Sequence, residues 1–102
     1  KNHPSIVERR IKQVIDTDPE VFLNVFNIYA QTEMFPWLKN INKPCLVMTG
    51  QNDQGCSPEH NKKMFKELEN SKLVILPKVK HSILIEEPSE TVKNILDFIS
   101  NI

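Results

Sequence analysis

Two short apolar runs, Cys45-Leu-Val-Met-Thr49 and Lys72-Leu-Val-Ile-Leu-Pro77, lack polar alternation, and they constrain the chain more than any other feature. A strand with one wet face alternates apolar and polar residues. A strand that is apolar on successive residues is covered on both faces, the habit of parallel sheets. Pro44 stands at the first residue of the first run, where its missing N–H does little harm. Between the runs lies a helix, with Ser57 as N-cap and Pro58 in its first turn. Its narrow apolar stripe is Met64, Phe65 and Leu68, set among Lys62, Lys63, Lys66, Glu67 and Glu69. Strand, helix and strand within about 35 residues make a right-handed βαβ crossover with parallel strands. Two such strands are not a stable object alone, and at least one sheet edge is left bare. The residues therefore predict the end of a larger sheet.

The front of the chain follows a different grammar. Ile6, Val7, Ile11, Val14 and Ile15 mark one face of a helix from Ser5 to about Thr17, with Ser5 as N-cap and Glu8 completing a capping box. Asp18-Pro19-Glu20 restarts a helix that runs through Val21, Phe22, Val25, Phe26, Ile28 and Tyr29 to about Thr32. Its broad apolar face predicts packing on two sides. Phe35-Pro-Trp-Leu38 reads as a turn or helical turn. At the far end Ser89 caps a last helix, whose face is Val92, Ile95, Leu96, Phe98 and Ile99. A boundary within residues 36–43 divides an all-helical front, residues 1–40, from an α/β back, residues 41–102.

Composition narrows the function class. The chain has 102 residues, enough for one modest core. Lys plus Arg total 13 and Asp plus Glu total 13, so no basic surface argues for nucleic acid and no charge block suggests a tail. No apolar run approaches the roughly 20 residues of a membrane span, so no membrane partner is expected. The first residues, Lys-Asn-His-Pro-Ser, lack the apolar core of a signal peptide. A start at Lys1 rather than Met suggests a processed product or a fragment. Cys45 reads as a small buried hydrophobe. Cys56 is a loop thiol with no second Cys or His at zinc spacing, so neither metal nor cofactor is expected. Two free thiols fit a reducing, cytoplasmic compartment.

Chemistry in open α/β sheets gathers beyond the carboxyl ends of the strands. Asp53 follows the first strand by one short loop after Gly50, and His81 follows the second at the same end. The two are expected within hydrogen-bond reach, where a carboxylate fixes the imidazole tautomer and the imidazole serves as general base. The plainer alternative is that Asp53 caps a turn and His81 is an ordinary loop histidine. Phe35 and Trp37 either line a pocket or pack. His3 and His60 read as surface histidines, and Ser57, Ser71, Ser82 and Ser89 as caps and turn residues. Glu86-Glu87 either tunes the His81 loop or, more simply, forms an acidic cluster at a helix N-terminus.

The pieces together resemble the closing section of α/β-hydrolase enzymes. These are Ile41, the Pro44-led strand, Gly50-Gln-Asn-Asp53, the crossover helix, Leu73-Val-Ile-Leu-Pro77, His81, Glu87-Pro88 and the Val92–Phe98 helix. The match spans residues 41–101. Thr49-Gly-Gln-Asn-Asp53 with Gly55 and Ser57-Pro58 is similar to the branch near enol-lactonases and carbon–carbon-bond hydrolases. The resemblance implies an α/β fold with two parallel strands, crossover and flanking helices, at the C-terminal end of a hydrolase sheet. The front then corresponds to the helical tail of the lid. It makes Asp53 the triad acid and His81 the triad base, acting on ester, lactone or related small carbonyl substrates. The family usually has Gly just before this His. Val79-Lys80 stand there instead, and the loop accepts them if φ stays negative. The only glycines are Gly50 and Gly55, so no Gly-x-Ser-x-Gly elbow exists. The nucleophile and oxyanion hole are expected outside this chain, which alone is expected to be inactive. Two other readings stand beside this one. One is a hydrolase-like protein that binds a ligand without turning it over. The other is a small interaction domain, or homo-oligomer, that pairs its exposed strand edge.

Overall fold

The computed structural model of the chain describes residues 4–102. His3, expected at the surface, lies outside them. The chain divides into two compact units, one ending at Glu33 and one spanning Met34–Ile102.

The first unit holds helix α1 (Pro4–Asp16) and helix α2 (Pro19–Gln31). Ser5 lies inside α1 rather than capping it, so the expected box with Glu8 does not form as read. Asp18 does cap α2. Its Oδ1 accepts from the Glu20 N–H at 2.8 Å, and Pro19 stands in the first turn, where a missing N–H is harmless. The two-sided packing expected of α2 is not seen. No residue of α1 or α2 is buried, with Phe22 59% and Tyr29 79% exposed. Helices α1 and α2 barely touch, so neither covers the apolar face of the other.

The second unit opens with a 3₁₀ helix, Phe35–Asn40, closed by hydrogen bonds from Trp37 N–H to Met34 O and from Ile41 N–H to Leu38 O, each 3.0 Å. Strand β1 (Cys45–Gly50), helix α3 (Pro58–Glu67) and strand β2 (Ser71–Leu76) follow as the predicted crossover. The strands pair in parallel from Cys45 opposite Ser71 to Gly50 opposite Leu76, so both end at the same level. That shared register sets the loops after Gly50 and Leu76 side by side. Ser57 caps α3 by accepting from the His60 N–H at 3.4 Å, and α3 packs on both strands. Ser71 Oγ donates to the Phe65 carbonyl at 3.1 Å, near the end of α3.

Beyond His81 the chain makes a short helix, α4 (Ile83–Glu86), and then α5 (Pro88–Ser100). Neither α4 nor its role was legible in the apolar spacing. The cap of α5 is Glu87 and not Ser89, because Pro88 takes the first helical position and leaves Ser89 inside. The most deeply buried side chain is Thr91, 1% exposed. Its hydroxyl lies 2.7 Å from the Glu87 carbonyl and 3.1 Å from that of Ile83, tying α5 to α4.

The buried apolar side chains are Val47, Leu76 and Val79. Leu46, Met48, Leu73, Val74 and Ile75 are only half-buried, although the unalternating runs predicted cover on both faces. Among the described residues the sheet has two strands, so each strand has one edge with no strand beside it. Among the same residues no helix is long and apolar enough to cross a membrane.

Candidate active site

The loop after β1 is built to hold one carboxylate. Asp53 N–H donates to the Gly50 carbonyl at 3.1 Å, turning the chain sharply at the strand's end. Its Oδ1 accepts from the Cys56 N–H at 2.9 Å. Cys56 is itself pinned, since its carbonyl accepts from Thr49 Oγ1 at 3.2 Å and from Asn61 Nδ2 at 3.0 Å. Asn61 Nδ2 also reaches the Ser57 carbonyl at 3.0 Å. Thr49 and Asn61 are both buried, so strand β1 and helix α3 together clamp the Asp53 loop from beneath.

The loop after β2 is set against the first one. Gln51 N–H donates to Leu76 O and Asn52 N–H to Val79 O, each 2.8 Å, while Gln51 Oε1 accepts from the Lys78 N–H at 3.1 Å. Val79 is buried, 5% exposed. Among the described residues Lys78 (φ 62°) is the one non-glycine residue with positive φ. The backbone strain of this turn therefore falls two residues before Lys80, and the bulky pair Val79-Lys80 is accommodated as expected.

These two loops bring His81 Nδ1 to 2.7 Å from Asp53 Oδ2. The carboxylate side chain is 6% exposed and the imidazole 72%. The Cys56 N–H, and after it the hydrogen bond from His81, hold the Asp53 carboxyl below its ordinary value of 3.8. Asp53 thus stays ionised and accepts from Nδ1–H, which leaves Nε2 as the ring atom able to take a proton. A cleft of about 700 Å³ opens here, lined by Gln51, Asn52, Asp53, Gln54, Gly55, Lys80 and His81. Phe35 and Trp37 are not in that lining, and neither is buried. His60 is exposed, as expected.

Sequence spacing missed two features of the site and left a third open between two readings. Cys56 has no partner at zinc spacing along the chain, yet folding sets its Sγ within 4.8 Å of donor atoms of Asp53 and His81, and these three could hold a metal ion. Asn61 lies on the same helical face as Met64 and Leu68, and a polar residue in an apolar stripe is a signal of a buried polar role. Of the two readings of Glu86, the structure bears out the one in which it acts on the His81 loop, since Glu86 accepts hydrogen bonds from the backbone on both sides of His81.

Comparison with known proteins bears on family and fold. The family described as TAP-like protein, among the abhydrolases, matches residues 28–101. Monoacylglycerol lipase ABHD6 of Mus musculus is 25% identical over 83 residues, covering 81% of this chain and 25% of that protein. The structure of MenH from S. aureus is 30% identical with a TM-score of 0.65, covering 69% of this chain and 26% of MenH. MGS-MChE2 is an alpha/beta hydrolase enzyme from the metagenome of sediments from the lagoon of Mar Chica, Morocco. It superposes with a TM-score of 0.80 at 21% identity, over 96% of this chain and 45% of its own, a likeness of fold. The chain spans about a quarter of the length of the curated relative it matches. With most of its length matched and its parallel strands, crossover and flanking helices in place, the chain belongs to the TAP-like protein family and carries the C-terminal end of an α/β-hydrolase fold.

Proposed function

We propose that Asp53 and His81 are the acid and base of a nucleophile–His–Asp triad in a hydrolase acting on ester, lactone or related carbonyl compounds. The observation that carries this reading is the 2.7 Å hydrogen bond between His81 Nδ1 and the buried Asp53 at the carboxyl ends of two parallel strands. A lipase relative whose name specifies monoacylglycerol supports ester chemistry. In this reading Nε2 of His81 takes the proton of an attacking hydroxyl or thiol as it adds to the substrate carbonyl, and returns it to the leaving group. Asp53 holds the tautomer and stabilises the imidazolium. The sequence has no Gly-x-Ser-x-Gly, so the nucleophile and oxyanion hole come from another part of the polypeptide. Residues 1–40 are then the tail of the lid, and 41–102 the closing part of the core. The unpaired thiols Cys45 and Cys56 support a reducing, cytoplasmic setting.

The test is turnover of small activated esters by the intact protein and its His81→Ala and Asp53→Asn variants. Losses on the order of 10³- to 10⁴-fold are expected. Near-full turnover in either variant would overturn the assignment. Ligand binding with no turnover in the unsubstituted protein would favour a binding protein instead.

A further inference from the structure

The His81 ring is mostly exposed, so side-chain packing does little to aim it. Asp53 holds one ring nitrogen. What remains is the backbone, and one side chain grips the backbone on both sides of the residue. Glu86 Oε1 accepts from the Lys80 N–H at 3.1 Å, and Glu86 Oε2 from the Ser82 N–H at 3.1 Å. The half-buried Glu86 is itself set by the first turn of α4, its own N–H donating to Ser82 O at 2.8 Å. Ser82 is therefore held at both ends by a single residue. On the other side the loop is anchored at Lys78 and Val79 by Gln51 and Asn52. His81 lies between the two anchors.

We propose that Glu86 is a positioning residue for His81, fixing the backbone from which the imidazole meets Asp53; the inference rests on the triad reading above. A carboxylate suits the task because it offers two acceptor oxygens to two N–H donors, and charged acceptors make the stronger bonds. Glutamine keeps the shape, offers one oxygen, and turns an NH₂ donor toward the other N–H. Aspartate is one methylene short of both.

In the intact protein, Glu86→Gln and Glu86→Ala are expected to lower kcat for an activated ester about 10- to 100-fold with little change in KM, the scale of loss that follows a misplacement of roughly 1 Å. Glu86→Asp should recover less than half of that loss on a logarithmic scale. The low-field proton resonance of His81 Nδ1–H, bonded to Asp53, should shift or broaden in the Gln variant while amide resonances of β1 and β2 stay in place. A residue that only stabilises the fold would lower the melting temperature and leave both kcat and this resonance unchanged, which would overturn the proposal. Should the variants fail to fold, amide exchange in the unsubstituted protein decides. Slow exchange at Lys80 and Ser82 supports the clamp, and exchange at the rate of free peptide refutes it. Undiminished turnover in His81→Ala would sink the triad reading separately, while the His81 resonance still reports on Glu86.

Discussion

Gly50 lies so close to Val79 that a Cβ built on it would fall 2.7 Å from the Val79 carbonyl carbon and overlap the carbonyl oxygens of Val79 and Lys80. The glycine is needed for approach rather than for an unusual φ, since its φ is not positive. Its missing side chain lets the Asp53 loop and the His81 loop press backbone against backbone. Gly50→Ala should push the loops apart, destabilise the protein by about 1–3 kcal/mol as overpacking does, and reduce turnover more than its stability loss explains. Urea midpoints and kcat on the same samples check this. A neutral substitution would mean that the loops separate freely.

Asp53 should contribute to the acid limb of stability in this unit. Its folded pKa is depressed below 3.8, first by the Cys56 N–H and then by His81. A depressed carboxyl stabilises the fold above its unfolded value and loses that contribution as pH falls through the lower folded value. The urea midpoint should therefore hold from neutrality to about pH 4 and fall below it. In Asp53→Asn the midpoint should start lower and lack that part of the fall. A parallel pair of curves would remove Asp53 from the account.

Asn61 is buried and donates to two carbonyls, those of Cys56 and Ser57. Asn61→Ala should cost about 1–3 kcal/mol by removing a buried donor and its two hydrogen bonds to part-buried carbonyls. Ser57→Ala, which removes only an exposed cap, should cost about 1 kcal/mol. Chemical denaturation of both variants tests the order. The Asn61 variant alone should also lower kcat, because the Asp53 loop loses its support on α3.

Thr91 joins α4 to α5 through its hydroxyl. Thr91→Val keeps the volume and removes the donor, and should cost about 1 kcal/mol. Thr91→Ala adds a small void and should cost more than Thr91→Val. Melting curves of the pair separate hydrogen bond from packing.

Local chemistry made much of the fold readable. Unalternating apolar runs announced β1 and β2, and Asp18-Pro19 and Ser57-Pro58 announced two helix starts, because a cap acts within three residues of itself. The same reasoning failed at Ser5 and Ser89, where a proline just before the serine drew the helix start upstream. It is silent on what covers the broad apolar face of α2, because periodicity says which face is apolar and not what packs on it. Helix α4 escaped notice because four residues are too few for a period to show.

The amino-acid order by itself determined which strands are parallel and, to within one residue, where each ends, and hence that Asp53 and His81 leave the sheet at one side. Only the tertiary structure decided the distances: the 2.7 Å bond between them, the pinning of Cys56 by Thr49 and Asn61, the bare approach at Gly50, and the Glu86 clamp. The reason is one of range. Strand and cap signals arise from immediate neighbours along the chain, whereas the Asp53–His81 bond and the Gly50 approach join residues far apart in sequence that the register of β1 against β2 brings together. The Cys56 pinning and the Glu86 clamp depend on how the loops and α4 fold back on themselves.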